Sequence, residues 1–410
     1  SSVASKGVMV YSGSSLTAGA GGSIAITGTA GAGTYQNDGV FFNSGTSATV
    51  ADGDMTITGT GSGSGGLGLG VNITNTILTA GTGNIIIDGT TDATGGFNNV
   101  GTQLWGTTVT TAGTGTGEGD VTISGSGAAA GTTSNMGLRL SDVDVTTGTN
   151  AKITLDGTGT GTGGSNIGVQ LTSGTNLTVS GTDALIDIEG TGGTGTAAAA
   201  INNDGVDLGT ASTLTFNDGA ATITGTGGGT GSSQGITGAT VTTVGTGDMT
   251  LIGSSVATGS SNQGIMLAGS TIGGGTVTMT GSGSLSGTGV YNSGISLSFT
   301  NVTGTTLNLT GTGGGGTSWN GGFEMVFGSL NGALTLIGNG GGSGGGVFNN
   351  GIYVLFGDMS GATGSMEGTG GTGSMLNLGV YVLGSGFGGS VEGFLLPGSG
   401  LYSSGVYFFS

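Results

Sequence analysis

Any chemistry in this chain would fall to its carboxylates. It has 21 Asp and Glu residues against three cations, Lys6, Arg139 and Lys152, and no histidine or cysteine. That composition excludes a Ser-His-Asp triad, a Cys-His pair, any disulfide and the common transition-metal ligand sets. A carboxylate-pair glycosidase, or a lyase using acids with Arg or Lys, is the chemistry left open. Arg139 has Asp142 and Asp144 close by in sequence, and we read that group as a surface ion pair. Lys152 and Asp120 are expected to make another such pair between adjacent repeats, worth little energy. The expectation is no catalytic site and no cofactor.

Carboxylates are also expected to meet one another. Asp156 and Glu189 fall in one column on neighbouring repeats with Asp187 beside them, and Glu367 stacks on Glu392. Like charges directly opposed are unfavourable, so the side chains either splay into water or hold a hard cation. Calcium takes oxygen ligands, which makes Asp156, Asp187 and Glu189 candidate ligands. The Gly-Gly-x-Gly-x-Asp nonapeptide of calcium-binding repeats is absent, and splaying is the preferred reading. The net charge of −18 argues against phosphate backbones and anionic membranes alike. No run approaches the 18 apolar residues of a spanning helix, so no transmembrane segment is expected.

The elements that would position these groups announce themselves by repetition. The phrase Asn349-Asn350-Gly351-Ile352-Tyr353-Val354 recurs around Gly39, Gly101, Gly137, Gly168, Gly205, Gly264, Gly294, Gly322 and Gly379, with looser copies at Gly7, Gly70, Gly235 and Gly405. Between successive anchors lie three short alternating segments, such as Gly168-Val169-Gln170-Leu171, a shorter piece around Leu177, and Met55-Thr56-Ile57-Thr58. Alternation at period two, rich in β-branched residues and bounded by glycine, signals strands. A period of about 30 residues signals a solenoid. We therefore expect an all-β, right-handed parallel β-helix of about 14 coils with three short strands per coil. One domain spans residues 1–410, with Thr/Gly-rich coils over 1–290 and shorter, more aromatic coils over 291–410. Positions one and three after each anchor should be buried, and position two exposed.

Recurrent columns carry further expectations. Two residues before the anchor stand Asn37, Asn99, Asn135, Asn166, Asn203, Asn262, Asn292, Asn320, Asn349 and Asn377, read as a hydrogen-bonded ladder in preference to a ligand site. The anchor glycine should supply positive φ or close backbone approach at the same turn. Tyr353, Tyr381 and Tyr407 fall in one outward column, as strand stabilisers or as a contact surface. An outward Thr column (Thr56, Thr122, Thr154, Thr222, Thr250, Thr278, Thr335) suggests ice binding only as a minor reading.

Through its Asn-x-Gly-Val and Thr-Ile-Thr-Gly phrases, nearly the whole chain resembles bacterial secreted β-solenoid surface proteins of the filamentous-haemagglutinin and autotransporter-passenger type. The resemblance implies an extracellular adhesive or structural rod, with cell-surface glycans as candidate partners. No secretion domain or translocator barrel is recognisable. The terminal segments suggest head-to-tail self-association into a filament, through Gly405, Val406, Tyr407, Phe408 and Phe409 at one end and Val3, Val8 and Val10 at the other.

Overall fold

A computed structural model describes residues 4–196, 201–342, 346–384, 386–395 and 405–409. Among them there is no helix, and every paired strand runs parallel to its neighbour. Three walls form because each strand pairs with its counterpart one coil away. Val40–Phe42 lies between Val8–Val10 and Val71–Thr74, and Ser47–Val50 between Ser15–Ala18 and Ile77–Ala80. Met55–Gly61 lies between Ile24–Thr29 and Ile85–Thr91. The result is a β-solenoid of about 13 turns of ~30 residues. The 14 anchors mark turn boundaries, so they enclose 13 intervals and not 14 full coils.

The expectation of three separate strands holds only for the earlier coils. Thr271–Ser282 fuses the second and third strands, and Ile295–Thr312 and Phe323–Asn339 each run along all three walls. In these elements the corners between walls pair with the corners of the next coil, so the ladder continues through them.

The lumen is apolar. Positions one and three after the anchor are buried from Val40 and Phe42 through Val71 and Ile73 to Val380 and Val382. Each large aliphatic side chain so enclosed contributes roughly 1.5–3 kcal/mol. Position two departs from the expectation: Phe41, Gln103, Arg139, Gln170, Glu324 and Tyr353 are half-buried. Neighbours in the same column and the preceding loop flank them. By its period, the sequence makes Ile77 the recurrent apolar position of its second strand, and the structure corrects this. Leu78 pairs between Ala48 and Val109 and is buried, while Ile77 points outward.

At the junction of third and first strands no side chain fits. A methyl on Gly59 would lie 2.0 Å from the Gly70 carbonyl oxygen, and one on Gly190 2.1 Å from that of Gly205. The loop leaves the wall and re-enters beside its own exit, so two backbones touch. The anchor glycines thus serve close approach and not positive φ. Left-handed backbone lies three residues earlier, on Asn98, Ser134, Ser165, Asn202, Tyr291, Trp319 and Phe348.

The asparagine column is a ladder, buried throughout. Asn166 Oδ1 accepts the Asn135 backbone N–H (2.9 Å), Asn203 Oδ1 that of Asn166 (2.8 Å), and Asn377 Oδ1 that of Asn349 (2.9 Å). Asn262, Asn292 and Asn320 continue the chain, with Ser233 standing in where asparagine is missing. Amide nitrogens tie in the loops, as Asn166 Nδ2 does to the Gly163 carbonyl (2.7 Å). Asn99 reaches Asn135 Oδ1 through its own Nδ2 (3.0 Å). Asn37 differs, because neither of its amide atoms has a partner among the described residues. Replacing Asn166 by Ala should therefore cost about 1–3 kcal/mol, by stranding the buried backbone N–H and removing the partner of the side-chain amide of Asn135. Asn37→Ala should cost clearly less, and urea denaturation of the two variants against the parent checks the ordering.

Candidate functional site

Outside the lumen, three columns of the first wall form a groove along the rod. The left-handed residues three before each anchor make one side, and the position-two residues make the other. The residue just before the anchor is the floor. Sequence reading missed this last column, although its composition carries a signal: Asp38, Leu69, Val100, Met136, Ile167, Asp204, Gln234. Leu69, Val100, Met136 and Ile167 form a small buried cluster separate from the lumen. An acid closes it at each end.

Asp38 and Asp204 are both buried, at 1% and 4% exposure. Asp38 is ion-paired to Lys6, the one salt bridge among the described residues, and Lys6 lies 4.9 Å from the Phe41 ring centre. Burial nonetheless holds the Asp38 carboxyl above the ordinary range. Burial pushes Asp204 up to about 7, with the nearby Asp207 adding to the effect and the Gln234 hydrogen bond opposing it.

Around Asp204 the groove opens to about 520 Å³. Asn98, Ser134, Ser165 and Asn202 line one side, and Arg139, Gln170, Asp207, Thr237 and Met266 the other. Gln170 Nε2 donates to Asp207 Oδ2 (3.0 Å), and the Gly209 N–H to Asp207 Oδ1 (2.9 Å). Arg139 forms no ion pair with Asp142 or Asp144, contrary to expectation. Asp142 sits in a left-handed turn and Asp144 accepts from Asn176 (2.7 Å). Strand geometry turns Arg139 toward the groove and not toward that corner. Lys152 and Asp120 likewise make no ion pair; Asp120 Oδ1 accepts the Lys152 backbone N–H (2.8 Å).

Further along, the same columns become aromatic. Tyr353 stacks on Tyr381 and Tyr381 on Tyr407, with ring centres 5.1 and 5.2 Å apart. Facing them, Trp319 stacks between Tyr291 and Phe348 and meets Tyr353 edge-on at 6.2 Å. At the far corner of this wall, Phe299, Phe327 and Phe356 form a third stack. All three hold left-handed backbone, which is costly for a bulky residue. Glu324 lies among the rings. Burial pushes it up to about 7, against hydrogen bonds from Ser293 and Gly321. The tyrosine column was legible as period; the Trp319 and Phe327 columns were not, because those positions hold mostly polar residues or glycine in earlier coils.

Asp156 and Glu189 do pair in register, but Asp187 pairs with Thr154, one pleat away. Burial raises the Asp156 carboxyl, and the charges of Asp187 and Asp88 add to that. Among the described residues no three acidic side chains converge as a metal site would require. Glu367 and Glu392 are in register. The Thr column is interrupted by Ile86, Asp187 and Asn308. Of the residues expected to mediate assembly, Val8 and Val10 lie on the strand Val8–Val10, while Val406, Tyr407, Phe408 and Phe409 lie on Val406–Phe409 after Gly405. These strands are at opposite ends of the stack. Val3 lies outside the described residues.

The acids pushed upward give stability a definite pH dependence. A folded-state carboxyl titrating near 7 stays protonated while the unfolded chain ionises near 4. The folded state then binds more protons across that interval, so stability must fall as pH rises from about 4 to about 7. Each such group contributes at most about 1.4 kcal/mol per pH unit. Thermal melts at pH 4.5 and 7.5 should show the lower midpoint at pH 7.5, with the gap reduced in Asp204→Asn.

No protein-family model matches this chain, and no curated protein and no solved structure is significantly similar to it.

Proposed function

We propose that this chain is an adhesive structural rod that works outside the cell and grips glycan-bearing surfaces through its first wall. The observation that carries the reading is the run of rings over consecutive coils after residue 290. Phe299 is 62% exposed, Phe356 52% and Tyr407 48%, with Tyr291 and Phe327 also open to solvent. Soluble chains rarely leave so contiguous an apolar patch uncovered unless something docks there. Because the rings stack on one another, their faces are used up and their edges are presented. Tyrosine and tryptophan edges combine an apolar body with a hydrogen-bonding tip, which suits a surface of C–H and hydroxyl groups. The solenoid wall holds them rigidly, so little side-chain entropy is lost on contact.

The structural half of the proposal is supported by the continuous ladders, which leave the body of the rod without unpaired strand edges. Retention of the protein on insoluble cellulose, chitin and mannan tests the adhesive half. The parent should be retained on at least one of them, and Trp319→Ser with Tyr353→Ser and Phe327→Ser should wash through. Equal retention of parent and triple variant, or none by either, contradicts the reading.

A further inference from the structure

We propose that the open middle of the groove, between Arg139 and Met266, is a separate binding site for a neutral oligosaccharide lying along the rod axis. This deepens the glycan reading but involves different coils and different residues from the aromatic end.

The site is built and not merely acidic. Asp204 is almost wholly buried, and its Oδ1 accepts the Gln234 N–H (2.6 Å). Its Oδ2 accepts no hydrogen bond and borders the groove. That oxygen stands at the groove surface with its lone pairs open, so a ligand hydroxyl can donate to it. Arg139 sits along the same groove, and among the described residues no carboxylate pairs with it. Between them Gln170 and Asp207 are locked to each other and to the Gly209 N–H, which fixes the remaining lone pairs of Asp207 in direction.

The occupant follows from what the walls offer. A peptide adding itself as a strand needs a free backbone edge. Here Leu138–Ser141 is paired on both sides, with Thr102–Trp105 and Val169–Thr172. A nucleic acid would need a row of cations, and the groove holds one. Amides, hydroxyls and carboxyls recur at each coil, ~4.8 Å apart. Met136, Ile167 and Met266 supply small apolar patches between them. Alternating hydroxyls and C–H faces, repeated along an extended chain, are the surface of a sugar polymer. Neutral sugars fit better than acidic ones, because Asp207 offsets the single Arg139 and leaves no excess of positive charge in the groove to hold an acidic sugar.

Calorimetric titration with hexasaccharides of β-1,4-glucan, mannan and xylan, and with hexagalacturonate as the acidic comparison, tests the site. At least one neutral hexasaccharide should bind. Asp207→Asn and Arg139→Gln should each raise its Kd by about tenfold or more, as expected for lost hydrogen bonds to charged groups. Both residues are half-buried on the outer wall, so the variants keep the lumen intact, and circular dichroism confirms folding. No neutral binding at millimolar concentration, binding of hexagalacturonate alone, or affinities unchanged in both variants overturns the proposal. Retention on solid polysaccharide by the aromatic end is measured separately, so either can fail without the other.

Discussion

Everything in this molecule depends on in-register parallel stacking at one coil per ~4.8 Å. Once a strand is bonded above and below, each residue sits directly over its equivalent. Whatever suits one coil must then suit its neighbours. Columns follow from this: an apolar pair facing the lumen, an asparagine at the turn, two glycines where the chain re-enters the wall. The asparagines can link because the stacking distance lets one amide oxygen reach the N–H one coil before it. The glycines are required because the same distance leaves no room for a methyl where third and first strands meet.

That constraint explains which parts of the fold could be read from sequence. Identity along a column is periodicity along the chain, so the anchors, the lumen residues and the ladder were all visible. Leu78 shows where the reading slips: two adjacent apolar residues in a four-residue strand cannot reveal which one faces inward. Of the two roles open to the anchor glycines, close approach is the one they fill, and left-handed backbone falls mainly on serines, asparagines and aromatic residues three positions earlier. Those residue types carry no turn signature as strong as glycine. The fusion of strands after Thr271 was also hidden, since alternation looks the same whether or not a turn interrupts it.

The groove was the least legible feature. Its floor is a column that changes from Asp38 to leucine, valine, methionine and isoleucine, then back to Asp204 and on to Gln234. No one residue type holds the column from coil to coil, so periodicity does not single it out, and the three-dimensional register shows these positions to be neighbours. Lumen columns are held constant by packing, whereas outward columns are free to vary, and variation is where recognition can be built. The same wall can therefore be polar around Arg139 and aromatic around Trp319 without disturbing the core beneath.

Amide hydrogen exchange on Gly190→Ala tests the stacking constraint most directly. The added methyl would lie 2.1 Å from the Gly205 carbonyl oxygen, against backbone that has no way to yield cheaply. The account predicts that Leu185–Thr191 and Val206–Thr210 lose protection together, while the outward Thr222→Ala leaves protection as in the parent. Full protection of both strands in Gly190→Ala would contradict it.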